Sequence, residues 1–159
     1  MHPEFPPSLS EIIPAPLRAE LNARGVLVAE DHPLNQKLIC AQLRKMRVDL
    51  TLVANGAEAL EAVRTRIFGV ILMDCQMPVM DGFGATRAIR EWEQGGVNPE
   101  AARHPAYIIA VTAGALAGDR EACLAAGMND YLPKPAQAQD LARVFAAWGE
   151  RTLEAALAR

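Results

Sequence analysis

A chain of 159 residues, 51% apolar and 22% charged, has the make-up of one ordinary globular domain with room for a real core. Its net charge of −3 argues against a nucleic-acid partner. No apolar run approaches the roughly 20 residues that span a membrane, so direct membrane contact is not expected, and residues 1–24 lack the apolar core of a signal peptide. Cys40, Cys75 and Cys123 are widely spaced, match no zinc or disulfide pattern, and read as reduced thiols in a cytoplasmic protein.

Pro3, Pro6, Pro7, Pro14 and Pro16 crowd into the first sixteen residues. That density forbids a long helix and reads as a linker or arm over 1–24, within which Pro16 through Ala23 suit a short helix closed by Gly25. From Gly25 onward strands and helices alternate. Val26–Ala29 is an apolar strand ending at Glu30 and Asp31. Pro33 suits a helix start, and Leu34, Leu38, Ile39, Leu43 and Met46 recur at helical spacing. Leu50–Val53 reads as a strand, followed by the Asn55-Gly56 turn and a helix carrying Ala59, Leu60 and Val63.

Val70–Met73 is an unbroken apolar run without alternation, which suits a central parallel strand buried on both faces. It ends abruptly at Asp74. Pro78, Asp81 and Gly82 then supply turn chemistry before a helix from Phe83 to about Trp92. Gln94–Pro105 reads as an extended loop, and Tyr107–Val111 as a fourth strand ending at Thr112. A helix from about Ala117 to Ala126 is closed by Gly127. Tyr131 and Leu132 mark a fifth strand, then Lys134-Pro135 and a last helix from Ala138 to about Trp148. Residues 149–159 suit a helical extension or tail. Five strands alternating with five helices predict an α/β fold with right-handed crossovers, a doubly wound parallel sheet over residues 25–148.

The polar residues gather at strand ends. Glu30 and Asp31 follow strand one, Asp74 strand three, Thr112 strand four and Lys134 strand five, so one edge of the sheet carries all five. The residues do not set the strand order. In 2-1-3-4-5, a common order for such sheets, strands one and three flank the switch point where ligands bind. A cap is the plain reading of Asp74, but Asp81 and Gly82 stand nearer the helix and do that job better. Three converging carboxylates repel one another unless a cation intervenes, and hard oxygen ligands suit Mg²⁺. Asp74 can then act as a nucleophile toward phosphorus, with Lys134 and the Thr112 hydroxyl offsetting charge on the transferred group.

The segments V-L-V-A-E-D-H-P-L-N, L-M-D-C-Q-M-P-V-M-D-G, A-V-T-A-G-A and N-D-Y-L-P-K-P resemble the receiver (response-regulator) domain of two-component signalling, most closely those of hybrid sensor histidine kinases. The resemblance covers about Gly25 to Trp148 and implies a flavodoxin-like fold. It implies that Asp74 is the phosphoacceptor, that Glu30, Asp31, Asp74 and the backbone carbonyl of Gln76 hold Mg²⁺, and that Lys134 contacts the phosphoryl group. Thr112 and Tyr131 match the switch pair, and a cis peptide is implied between Lys134 and Pro135. The chain departs from the pattern at His32 and Gly114, where Asn is common; both bear on the rate of phosphate loss.

The implied partner is a histidine kinase or histidine phosphotransfer domain, approaching over Leu34, Asn35, Leu38 and Pro135. A plainer reading puts Leu34 and Leu38 in the core, and homodimerisation stays open. A haloacid dehalogenase-like phosphatase is disfavoured because Gln76 stands where its D-x-D motif needs the second Asp, and an interaction module without phosphorylation is disfavoured by the complete site. The expected role is therefore a phosphoacceptor rather than a turnover enzyme. It would be a module of a hybrid kinase, cytoplasmic even if that kinase is membrane-bound, or alternatively a stand-alone regulator. Cys75 reads as inert packing beside the nucleophile.

Overall fold

The computed structural model describes residues 12–113 and 117–157. Five parallel strands, β1 (Val26–Ala29), β2 (Thr51–Val53), β3 (Val70–Asp74), β4 (Tyr107–Thr112) and β5 (Asp130–Pro133), form one sheet in the order β2-β1-β3-β4-β5. The pleat sends successive side chains to opposite faces. Val26, Val28, Val70, Leu72, Ile109 and Val111 pack on one side, while Leu27, Ala29, Ile71, Met73, Ile108 and Ala110 pack on the other. Both faces are covered, which is why β1, β3 and β4 read as unbroken apolar runs.

Helices α2 (Pro33–Lys45) and α7 (Ala138–Leu157) cover the first face; α3 (Gly56–Thr65), α4 (Gly82–Gln94) and α6 (Ala117–Ala126) cover the second. Local chemistry starts α2, α3 and α4. His32 Nδ1 accepts from Leu34 N–H, Asn55 Oδ1 from Glu58 N–H and Asp81 Oδ1 from Gly84 N–H, each satisfying an otherwise unpaired donor of the first turn.

Two expectations need correction. Seven helices are described, not five. Gln94–Pro105 is not wholly extended: it contains the short helix α5 (Pro99–Arg103), started by Pro99 and the Asn98 side chain, which accepts from Glu100 N–H. The short helix expected over Pro16 through Ala23 is present. Helix α1 (Ala15–Arg24) closes at Gly25 and docks on the α2/α7 face, burying Ile13 and Leu21 in the core. Asn22 fastens it: its Nδ2 donates to Arg47 O at 3.0 Å and its Oδ1 accepts from Asp49 N–H at 2.8 Å. The proline count forecasts a break in helix, not exposure, and apolar Ile13, Leu17 and Leu21 outweigh it. Residues 1–11 of the expected arm lie outside the described residues. The extension past Trp148 is helical to Leu157, and Gly149 lets α1 approach α7, since a Cβ there would stand 2.8 Å from Leu17 Cδ1.

Candidate functional site

The carboxyl edge of the sheet brings the expected residues together. Register pairs Ala29 with Met73 and Asp74 with Val111, so Glu30, Asp74 and Thr112 emerge side by side. One oxygen from each of Glu30, Asp31 and Asp74 lies within 4.8 Å of the others. Lys134 Nζ stands 2.8 Å from Asp74 Oδ2 and 3.4 Å from Glu30 Oε2. The Lys134–Pro135 peptide is cis, and Lys134 N–H donates to Thr112 O at 2.9 Å, tying the β5 end to β4.

Glu30 is held in place by its own helix start. Its Oε1 accepts from His32 N–H at 3.1 Å and Asn35 Nδ2 at 3.4 Å, and its carbonyl accepts from Gln36 Nε2 at 2.7 Å. Asn35 is thus a support for the acidic site as well as a neighbour of the outer surface. Asp74, 2% exposed, accepts from Gln76 N–H at its Oδ1. Its Oδ2 is buried and pairs with the Lys134 ammonium at 2.8 Å. Burial, together with the Glu30 charge, pushes the Asp74 carboxyl from 3.8 up to about 6, against the opposing pull of Lys134 and the Gln76 N–H.

That arrangement fits a hard divalent cation. Two further carboxylates converge on the buried Asp74 carboxylate, and Asp31 and Gln76 line one open cavity beside it. Only oxygen ligands are offered there, as Mg²⁺ prefers.

Thr112 is buried at the end of β4, and Tyr131 is half-buried on edge strand β5, paired in register with Ala110. Thr112 shares the pleat face of Ile108 and Ala110, and Tyr131 packs against that same cluster. The Arg120 guanidinium lies 5.8 Å from the Tyr131 ring centroid, and Arg143 donates to the Tyr131 carbonyl. His32 caps α2; Gly114 lies outside the described residues.

Leu34 and Leu38 are not core: they are 58% and 45% exposed. Leu38, Gln42 and Pro135 line a cavity of about 270 Å³ that reaches Glu30 and Lys134. Cys75 is buried and its thiol is pushed up to about 12, by burial first and then by the neighbouring Cys123, which agrees with inert packing.

Sequence reasoning missed two backbone features. Met80 N–H donates to Pro78 O at 2.8 Å around Val79, whose φ is 71°, a tight γ-turn in a strained region for a β-branched residue. At Gly82, N–H donates to Cys75 O and a Cβ would collide with the Asp74 carbonyl oxygen. The glycine was legible as turn chemistry; its contact with the Asp74 backbone was not.

Residues 26–146 match the response regulator receiver domain. The chain belongs to the receiver domains of response regulators. The receiver is 42% identical over 128 residues to the sensor histidine kinase GacS of Pseudomonas protegens, covering 79% of this chain but 13% of that protein. It is similar to the receiver domain of sensor histidine kinase PA1611 from Pseudomonas aeruginosa, solved with magnesium in its active-site cleft: 46% identity, TM-score 0.66, covering 79% of this chain and 96% of that one. The receiver of Ssk1 from Saccharomyces cerevisiae, solved with the histidine phosphotransfer protein Ypd1, gives 33% identity and TM-score 0.72, over 79% and 88% of the two chains. Among the described residues no helix is long and apolar enough to cross a membrane.

Proposed function

We propose that this receiver, residues 25–148 flanked by α1 and the helical extension, takes a phosphoryl group from a phosphohistidine onto Asp74. The observation that carries the reading is the convergence of Glu30, Asp31, Asp74 and Lys134 at one point of the sheet's carboxyl edge. An Asp74 carboxylate oxygen attacks phosphorus, the P–N bond breaks, its electron pair leaves with the imidazole, and an acyl phosphate forms. Lys134 faces the reacting carboxylate and offsets charge on the phosphoryl oxygens. Glu30, Asp31, Asp74 and the Gln76 carbonyl would hold Mg²⁺, which when bound supplies charge neutralisation for the transferred group. The chain itself is the acceptor, not a turnover enzyme.

The proposed donor is a histidine phosphotransfer domain or histidine kinase, docking over Leu34, Leu38 and Pro135, with Asn35 at the inner margin. Exposed leucines beside a cavity that leads to Lys134 and Glu30 support that surface. Kinship with GacS over a small part of that protein supports a hybrid-kinase module, and three cysteines outside any disulfide suit a cytoplasmic setting. Incubation with a phosphorylated phosphotransfer domain and Mg²⁺ should move one phosphoryl group to the receiver. Leu38→Asp or Pro135→Ala should slow that transfer by roughly tenfold, while labelling by acetyl phosphate stays nearly intact. If both reactions fall together, these residues support the acidic site and are not the docking surface.

A further inference from the structure

At the amino edge of the sheet, the end opposite Asp74, lies a second cavity of about 390 Å³. Phe68, Tyr107 and Trp148 form its apolar lining and are 3%, 8% and 5% exposed. Cations form its rim: Arg24 at the end of α1, Arg103 and His104 at the end of α5, and Arg151 in the extension of α7. Three acids stand nearby, one of them Asp130, whose charge bears on the Tyr107 hydroxyl. Glu20 pairs with Arg24 at 3.5 Å, and Glu100 pairs with Arg103 at 2.9 Å and faces His104 at 3.7 Å. Arg151 has no carboxylate partner among the described residues; its guanidinium lies 5.7 Å from the Tyr107 ring centroid.

Part of the cavity lining lies outside the family match. Arg24, Trp148, Arg151 and Thr152 lie outside the residues 26–146 that match the receiver family, and Arg103 and His104 come from α5, where an extended loop is expected. The close approach of α1 to α7 at Gly149 brings the two flanking helices together beside it.

A guanidinium over an aromatic ring keeps N–H groups free for an anion, and planar guanidinium groups pair bidentately with phosphate. The volume falls within the roughly 300–1,000 Å³ of small-molecule sites, which combine apolar walls with a few placed polar groups. Bare phosphate would engage the rim and leave the apolar walls of the cavity uncovered, and an acidic peptide brings no flat body to it. We propose that this cavity binds a mononucleotide, with phosphate on the Arg24, Arg103 and Arg151 rim and the base inside the cavity along the exposed edges of Tyr107 and Trp148. This site is separate from the phosphoacceptor edge and does not depend on it.

The test is amide NMR of the full chain in EDTA, which removes any metal from the Asp74 edge. The titrants are AMP, ATP, inorganic phosphate, adenosine and a glutamate-rich peptide. A nucleotide should give saturable shifts at Gly69, Arg103–Ala106 and Thr152, with affinity at least about tenfold above that of phosphate or adenosine. Arg151→Gln and Arg24→Gln should each weaken it by roughly tenfold. Their spectra elsewhere, and their labelling at Asp74 by acetyl phosphate, should be unchanged. The proposal is overturned if no nucleotide gives saturable shifts, if phosphate alone binds as well, if the peptide binds in place of the nucleotides, or if both variants retain full affinity.

Discussion

Lys134 Nζ lies 2.8 Å from Asp74 Oδ2, and both groups hold their protons more tightly than they would in water. For Asp74 burial is the largest cause, aided by Glu30, and it outweighs the pull of Lys134. For Lys134 burial acts to release the proton, but Asp74 and Glu30 together overcome it. The lysine is thus locked as a cation beside a carboxylate that ionises at a cost to the fold.

The sign of that cost is testable. A carboxyl that titrates higher folded than unfolded stabilises the fold while protonated. Its contribution is fully present below 3.8 and is lost as pH rises through about 6. Asp74→Asn cannot ionise, and Lys134 keeps Glu30 as a partner. The variant should melt several degrees higher at pH 8, given a relief on the order of 3 kcal/mol, and should gain less at pH 4.5. Equal gains at both pH values would contradict the burial argument.

Mg²⁺ should relieve the same repulsion. Titration followed by amide NMR should show saturable binding that Asp31→Asn largely removes, and Mg²⁺ should raise the melting midpoint of the parent chain but not of that variant. Undiminished binding in Asp31→Asn would take Asp31 out of the metal site.

The backbone around Asp74 makes opposite forecasts for two substitutions. At Gly82 a new Cβ would meet the Asp74 carbonyl oxygen and stand 2.9 Å from Cys75 Cα, neither of which can swing aside. Gly82→Ala should cost roughly 2–4 kcal/mol and slow acetyl-phosphate labelling. At Val79, with φ 71° and 86% exposed, a glycine removes the side-chain clash, so Val79→Gly should stabilise by about 1 kcal/mol. Chemical denaturation reads both; a destabilised Val79→Gly would deny the strain.

Phosphorylation should be read through Thr112 and Tyr131, which share one face of the sheet. A charge-assisted hydrogen bond from Thr112 is worth roughly 1.5–3 kcal/mol. Moving a two-state equilibrium from 1:99 to 99:1 takes about 5.5 kcal/mol. Thr112 alone is too weak, so Lys134 must share the load or the resting state must be only mildly preferred. With beryllofluoride as a phosphoryl mimic, amide shifts should cluster after Thr112 and around Tyr131. In Thr112→Ala the mimic should still bind while the Tyr131 shifts shrink. Full-size shifts there would send the signal by another route.

Much of this was legible in the residues because a doubly buried parallel strand leaves a distinctive trace. Val70–Met73 ending at Asp74 located the centre of the sheet, and the polar residues after β1, β4 and β5 located its edge. What stayed hidden depends on tertiary contact. Glu93, near the end of α4, is 4% exposed, pairs with Arg90 at 2.8 Å and accepts from Ala106 N–H at 2.7 Å, partners that no local pattern announces. Leu34 and Leu38 fit a helical apolar stripe but face outward, because Ile39 and Leu43 already fill the contact with the sheet. The docking of α1 depends on Asn22 meeting a turn more than twenty residues away, a separation no local pattern spans.

The most direct test is intact-mass analysis after incubation with acetyl phosphate and Mg²⁺. The parent chain should gain a single hydroxylamine-sensitive phosphoryl group, mapped to the peptide holding Asp74, and Asp74→Asn should gain none. A phosphoryl group that persists in Asp74→Asn would place the nucleophile elsewhere and contradict the account.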